Sequence, residues 1–433
     1  MTIPADALGR LLARTQDLPR LESRADAIDP PLSVLYGGAH LFSDATFEKL
    51  GKIAARAFAE HIRNDDDVCA VTSERARPFA GEIRARVSEK LARSPLEDVR
   101  IDFEDGYGVR SAEDEDRDAD RVGEVLAKAG PAAPRWVGIR VKAFDRHTCA
   151  RAARTLTRVL ESLGPDTLPK GFVVTLPKVR RAHDVRAFVE LLGLVEADRG
   201  LPRGAIGLEL MIETPEALFT DAGNVAYPSL LEAGNGRVTS LHLGAYDLLS
   251  LCDVGATAQA LDHPICTMAR SLMVLAVGGR GGKVRVVDGA TTRLPLPIHR
   301  DGSRHAPLGD TAIRENHDAI LDALRAHAKN VDSALRVGIH QGWDLHPAQL
   351  AARYMATSAY YLEALEASAA RLQGFVAQAA RATALGQTFD DAATAEGLLA
   401  FFTRGLGSGM LLERDVAATG LTIAELGRRT FDV

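Results

Sequence analysis

Residues 206–218 read IGLELMIETPEAL, and how this stretch is read decides the fold. Residues 206–212 form an apolar run of strand length. The run stops at the carboxylate of Glu213, and helix punctuation follows at once. Thr214 can cap a helix, Pro215 suits its first position, and Glu216 faces the positive end of its dipole. A buried strand that ends on an acid and turns directly into a helix is a βα junction. In α/β barrels that end of the strand is where chemistry is placed.

The same unit recurs along the chain. Eight runs qualify as strands: SVLY (33–36), VRIDF (99–103), WVGIRV (136–141), GFVVTL (171–176), IGLELMI (206–212), VTSLHL (238–243), KVRVV (283–287) and LRVGIH (335–340). Between them lie stretches such as ATFEKLGKIAARAFAEHI and AHDVRAFVELLGLVEA, whose apolar residues recur at three- and four-residue steps. Eight strand-then-helix units predict a TIM (β/α)8 barrel over residues 33–350. An open doubly wound sheet is the competing architecture, but no GxGxxG follows the first strand.

Residues 1–32 are expected to form an N-terminal helical arm. Residues 351–433 carry no strand signal and are expected to be a helical appendage, with Thr422 and Glu425 making a capping box for a last helix. Two insertions interrupt the barrel. Residues 64–98 alternate acids and bases at helical spacing, as a solvated helix face does. Residues 289–309, rich in Pro and Gly, form a loop long enough to suggest a functional role.

Composition limits the function. The 433 residues are 46% hydrophobic and 25% charged, with a formal net charge of −6, so the chain can bury a large core but has no basic field for nucleic acid or anionic lipid. No segment approaches 18 uninterrupted apolar residues, so neither membrane nor nucleic acid is an expected partner, and the expected location is the cytoplasm. Cys69, Cys149, Cys252 and Cys266 are too scattered for a zinc spacing and are read as buried free thiols.

The chemistry gathers at the strand ends. After the sixth strand, LGAYDL places Asp247 beside Glu213 on the neighbouring strand, where two acids repel unless a cation or a proton lies between them. Oxygen ligands without a Cys or His cluster favour Mg2+, with Mn2+ as a substitute. DFEDG supplies Glu104 and Asp105, GIRVK supplies Arg140, and TLPKV supplies Lys178. An arginine fork at a barrel mouth suits a substrate carboxylate, and the acids suit metal-bound water or Arg140 itself. Gly37 and Gly38, with His40 beyond them and His299 in the seventh loop, are expected to line the substrate site. Either histidine is explained more simply as a structural hydrogen-bond partner. Asp344, Asp390, Asp391, Glu413 and Asp415 are further acids among which the sequence does not choose a proton carrier.

Taken in order, SVLYGG, DFEDG, GIRVK, TLPKV, LMIETPEAL, LHLGAYDL, VVDG and GIHQGWDLHPAQ resemble the motifs of the HpcH/HpaI aldolase/citrate lyase family, which includes the citrate lyase β-subunit and malyl-CoA lyase. The resemblance implies a TIM barrel, with Mg2+ held by Glu213 and Asp247 and the substrate held by Arg140. It also implies an enolate-forming carbon–carbon lyase, acting on a small oxo- or hydroxy-acid or its CoA thioester, and a homo-oligomer, trimer or hexamer. Enolpyruvate chemistry on the same metal platform and a catalytically silent barrel subunit are the alternatives. VLYGGAH at the first strand and Lys142 at the third depart from the family pattern, and both lie at the mouth.

Overall fold

The computed structural model describes residues 31–278, 282–300, 308–377, 383–385, 388–390 and 392–428. Eight parallel strands close a barrel in chain order: β1 Ser33–Gly38, β2 Asp98–Asp102, β3 Trp136–Arg140, β4 Val173–Leu176, β5 Gly207–Ile212, β6 Val238–Leu243, β7 Arg285–Asp288 and β8 Gln341–Asp344. Because β1 pairs with both β2 and β8, the sheet has no free edge. This is the closed α/β barrel that the eightfold repeat predicts, and it excludes the doubly wound sheet.

Helices cover the outside because their apolar residues form stripes. In Cys149–Leu163 the buried residues Ala152, Leu156, Val159, Leu160 and Leu163 recur at three- and four-residue steps. They join one continuous core with outward-facing strand residues such as Ile101, Ile139, Val174 and Leu210.

The lumen is built differently. Val34, Tyr36 and Val287 form a small separate cluster, with Trp343 packed against it. Below it the filling is charged. Arg100 on β2 reaches across the lumen to Glu209 on β5 through Nε (2.6 Å) and Nη2 (2.6 Å), and its other edge binds Asp98. Glu209 also accepts from Thr175 (2.7 Å) and Ser240 (2.9 Å) and lies 3.1 Å from His242 Nε2, while His242 Nδ1 lies 3.2 Å from the Tyr36 hydroxyl. Arg100, Asp98 and Glu209 are wholly buried, so removing one partner leaves bare charge in a low-dielectric interior. Arg100→Met is therefore expected to destabilise the fold by about 3–5 kcal/mol. Urea denaturation measures this, and a loss below about 1 kcal/mol would show that the network is not coupled to folding.

Several expectations are corrected. The run 335–340 is not the eighth strand. The helix Asp310–Arg336 continues through Leu335, and Gly338, at φ 85°, ends it, with the Ile339 amide donating to the Ala334 carbonyl. Leu335 and Ile339 are buried together at this turn, and apolar residues that close a helix end imitate a β-branched strand in sequence. The strand is the polar QGWD that follows.

The helix Gln349–Ala377 follows β8, and after it an antiparallel pair, β9 Thr383–Leu385 and β10 Thr388–Asp390, breaks the stretch expected to be wholly helical. The Thr422–Glu425 capping box is present. The charged insertion forms helices Asp65–Val71 and Ala80–Arg93 with solvated faces, but it is not only a solvated element. Val68, Val71, Ile83, Val87 and Leu91 are buried, and the buried Arg86 binds Asp415 and the Met410 carbonyl. All four cysteines are free, but only Cys69 and Cys266 are buried, while Cys252 is exposed. Among the described residues, no helix is long and apolar enough to cross a membrane. The N-terminal arm through residue 30, positions 301–307 of the seventh loop and Asp391 lie outside the described residues.

Candidate active site

β2, β3, β4 and β5 deliver their last residues to one end of the barrel. β3 ends on Arg140, which is 1% exposed. Its Nε and Nη2 clamp Asp102, the last residue of β2, at 2.7 and 2.5 Å. This leaves Nη1 turned toward Glu104 (3.1 Å) and Asp105 (3.5 Å), with no aligned hydrogen-bond acceptor. The guanidinium lies over two lumen rings, Tyr36 at 5.3 Å and Trp343 at 5.5 Å, which themselves pack at 4.3 Å.

After β5 the chain turns as the sequence reading expects. Thr214 caps the short helix Pro215–Leu218 by accepting from the Ala217 amide, and its hydroxyl donates to the Val179 carbonyl. Glu213, 1% exposed, is thereby fixed against β4, where its Oε1 accepts the Lys178 backbone amide at 2.6 Å. Gly244 must lack a side chain, because a Cβ there would stand 2.4 Å from Glu213. Asp247 lies in the first turn of the helix Ala245–Leu251, with its carboxylate half-exposed.

Four of these acids share one neighbour. The Lys178 ammonium lies 2.7 Å from Asp247 Oδ2, 3.5 Å from Asp105 Oδ2, and 3.8 Å from both Glu104 Oε1 and Glu213 Oε1. Lys178 reaches this point from a left-handed backbone at φ 53°, a conformation uncommon outside glycine and found preferentially at functional sites. Crowding and burial raise two of the acids. Burial pushes Glu213 up to about 7 against the pull of Lys178, with Asp247 adding to the rise. Burial likewise pushes Glu104 up to about 8, against Arg140 and Lys178. Asp105, despite partial burial, is held low by its contact with Glu104 and by the two cations. The arrangement can keep one proton near neutral pH and still present charged oxygen.

The geometry brings together Glu104, Asp105, Arg140, Lys178, Glu213 and Asp247. Other expected residues lie apart or do less. Gly38 is required where the loops after β1 and β2 meet, since a Cβ there would stand 2.3 Å from the Gly106 carbonyl oxygen. Gly37 is exposed with open space before it. His40 packs edge-on to Tyr107, with its Nδ1 buried and unpartnered, and burial followed by the Arg110 charge lowers its pKa. His299 is tied to the helix Asp310–Arg336 through Glu315 (2.6 Å) and Asn316, so its bonds go to that helix and not to the gathered acids.

Asp344 is not an available acid. It is fully buried, clamped by Arg353 at 2.8 and 3.0 Å and by His327, and held low chiefly by the Arg353 charge against burial. Asp415 is bound by Arg86, and Glu413 is exposed. Three contributors escaped the sequence reading, the first of them Tyr36 on β1, beneath the Arg140 guanidinium. Asp102 stands in the same DFEDG motif, and Trp343 stands in a strand whose polarity hid it.

No three His, Cys, Asp or Glu side chains among the described residues stand at ready coordination spacing. The acids instead surround the ammonium at 2.7–3.8 Å, wider than the roughly 2.0–2.1 Å of a magnesium–oxygen bond.

Comparison with solved structures agrees on the fold. A citrate lyase from Burkholderia xenovorans LB400 superposes with a TM-score of 0.55 at 18% identity, covering 93% of this chain and 100% of that one. The protein CitE from Mycobacterium tuberculosis, in complex with magnesium, acetoacetate and coenzyme A, gives 0.49 at 17% identity, covering 89% and 99%. At 18% identity the likeness to the citrate lyase is one of architecture. No curated protein matches the sequence. Residues 25–432 match the family described as a domain of unknown function, DUF6986, and the chain belongs to that family.

Proposed function

We propose that this protein is a Mg2+-dependent carbon–carbon lyase, carrying out aldol- or Claisen-type cleavage or condensation on a small oxo- or hydroxy-acid. The observation that carries the reading is the convergence of Glu104, Asp105, Glu213 and Asp247 on one point beside Arg140, at the end of the barrel where strands give way to helices. The donor set fits a hard divalent ion: it is all oxygen, rigid at Glu213, and cradled by a glycine at 244. Glu213 and Asp247 would hold the ion. When bound, Mg2+ or Mn2+ supplies Lewis-acid stabilisation where negative charge develops on an enolate oxygen.

The chain's own residues do the rest. Arg140 offers Nη1 to a substrate carboxylate while Asp102 fixes its orientation. Glu104, raised to about 8, carries a proton near neutral pH and suits an acid–base role. Tyr36 and Trp343 form an aromatic floor that limits water beneath the substrate.

The test is solvent exchange. With Mg2+ in D2O, NMR is expected to show deuterium entering the methyl group of pyruvate or of acetyl-CoA, with the responsive compound distinguishing free acid from thioester. A chain that binds Mg2+ but exchanges none of pyruvate, oxaloacetate, glyoxylate-primed acetyl-CoA or acetyl-CoA alone would be a silent binding barrel.

A further inference from the structure

Lys178 stands where the carboxylates of three strand ends point, and its details are unusual. Its main chain is held in a left-handed conformation by the hydrogen bond its N–H donates to the Glu213 carboxylate, yet its side chain is 27% exposed and its ammonium sits at the end of a flexible four-carbon stem. The backbone can therefore stay in place while the ammonium leaves. More carboxyl groups crowd this point than one ammonium can serve. Four carboxyl groups face Lys178, and two of them, Glu104 and Asp105, also face the third guanidinium nitrogen of Arg140, whose other two nitrogens are committed to Asp102. An ion held by Glu213 and Asp247 would compete for the space the ammonium fills, because the ammonium lies 3.8 and 2.7 Å from their oxygens and metal–oxygen bonds are shorter than these distances.

We propose that Lys178 is a tethered stand-in cation: its ammonium holds the four carboxylates together in the metal-free protein and swings out to solvent when a divalent ion takes its place. The inference rests on the metal reading of this site. The exchange makes ammonium docking and metal binding mutually exclusive, so the apparent metal affinity is reduced by the work of expelling the lysine. The flexible ammonium, in contrast to a fixed arginine, is what permits this.

Two measurements on the full chain test it. Calorimetric titration of Mg2+ is expected to give a dissociation constant at least about tenfold smaller for Lys178→Met than for wild type, the sense expected when a competing charge is removed. Separately, wild-type lysines are methylated with 13C-formaldehyde, and the Lys178 signal is identified by its loss in Lys178→Arg. Saturating Mg2+ is expected to move that signal to the position of exposed lysines. A tightened constant with an unmoved signal would mean that the lysine only repels the ion from alongside, which overturns the exchange. An unchanged or larger constant in Lys178→Met overturns it while leaving the metal site standing. Absence of Mg2+ binding in both proteins removes the exchange together with the metal reading.

Discussion

Glu213→Gln is expected to lose the thermal stabilisation that Mg2+ gives the wild type, and to lower the rate of substrate deuterium exchange by about a thousandfold or more. The substitution is conservative in shape. A glutamine carbonyl can still accept the Lys178 amide, and Gly244 still leaves room for the side chain, so the fold should persist. What is lost is the buried charge that a metal requires.

The same variant isolates a pH effect whose sign is fixed. Burial raises Glu213 in the folded chain from its ordinary value near 4.5 to about 7. A carboxyl raised on folding contributes stability that is fully present below about pH 4.5 and is lost as pH rises through about 7. Without metal, wild type should therefore lose stability relative to Glu213→Gln between those limits. With Mg2+ the trend should reverse, because the ion binds the deprotonated form. Calorimetric melting at pH 5 and pH 8, with EDTA or with Mg2+, reads both effects. Equal Mg2+ stabilisation of the two proteins would place the ion elsewhere.

The sequence announced the barrel through periodicity, and it did so most clearly where apolar outward residues alternate with inward ones, as Leu241 and Leu243 alternate with Ser240 and His242. VTSLHL at β6 matches the observed strand Val238–Leu243 to the residue. The repeat failed at β8, where Gln341 bonds Asp98 in the lumen, Trp343 packs on the small cluster of Val34, Tyr36 and Val287, and Gly342 is pressed against the Arg353 guanidinium. A strand with a hydrogen-bonded amide and a single indole facing inward, and an outward glycine that makes room for an arginine, has no hydrophobic period to read. Strand-end acids were legible because a charged residue ending an apolar run stands out locally. Their mutual arrangement was not, since the convergence on Lys178 depends on a left-handed backbone at one residue and on closure of the sheet across β2, β4, β5 and β6. The charged lumen escaped for the same reason. Arg100 and Glu209 lie 109 positions apart and meet only across the closed barrel.

Arg140→Lys is the second substitution with a large expected effect, because it keeps the charge and removes the geometry. Arginine here uses three nitrogens for two tasks: Nε and Nη2 hold Asp102, and Nη1 is left over for a substrate oxygen. A lysine ammonium is a single point that must either neutralise buried Asp102 or reach the substrate, and burial favours the first. Activity should therefore fall by about a hundred- to a thousandfold while the chain stays folded, the size of effect seen when one positioned donor is removed from an active site. Arg140→Met, in contrast, leaves buried Asp102 without its counter-charge, holding only the Glu104 and Gly106 amides, and should cost about 3–5 kcal/mol of stability. The role in catalysis is separable from the role in folding by substrate choice. With pyruvate and methyl pyruvate compared, Arg140→Lys should lose exchange on the free acid far more than on the ester, which has no carboxylate to hold. A loss that falls equally on both compounds would make Arg140 a support for the barrel end and leave the substrate carboxylate to another group.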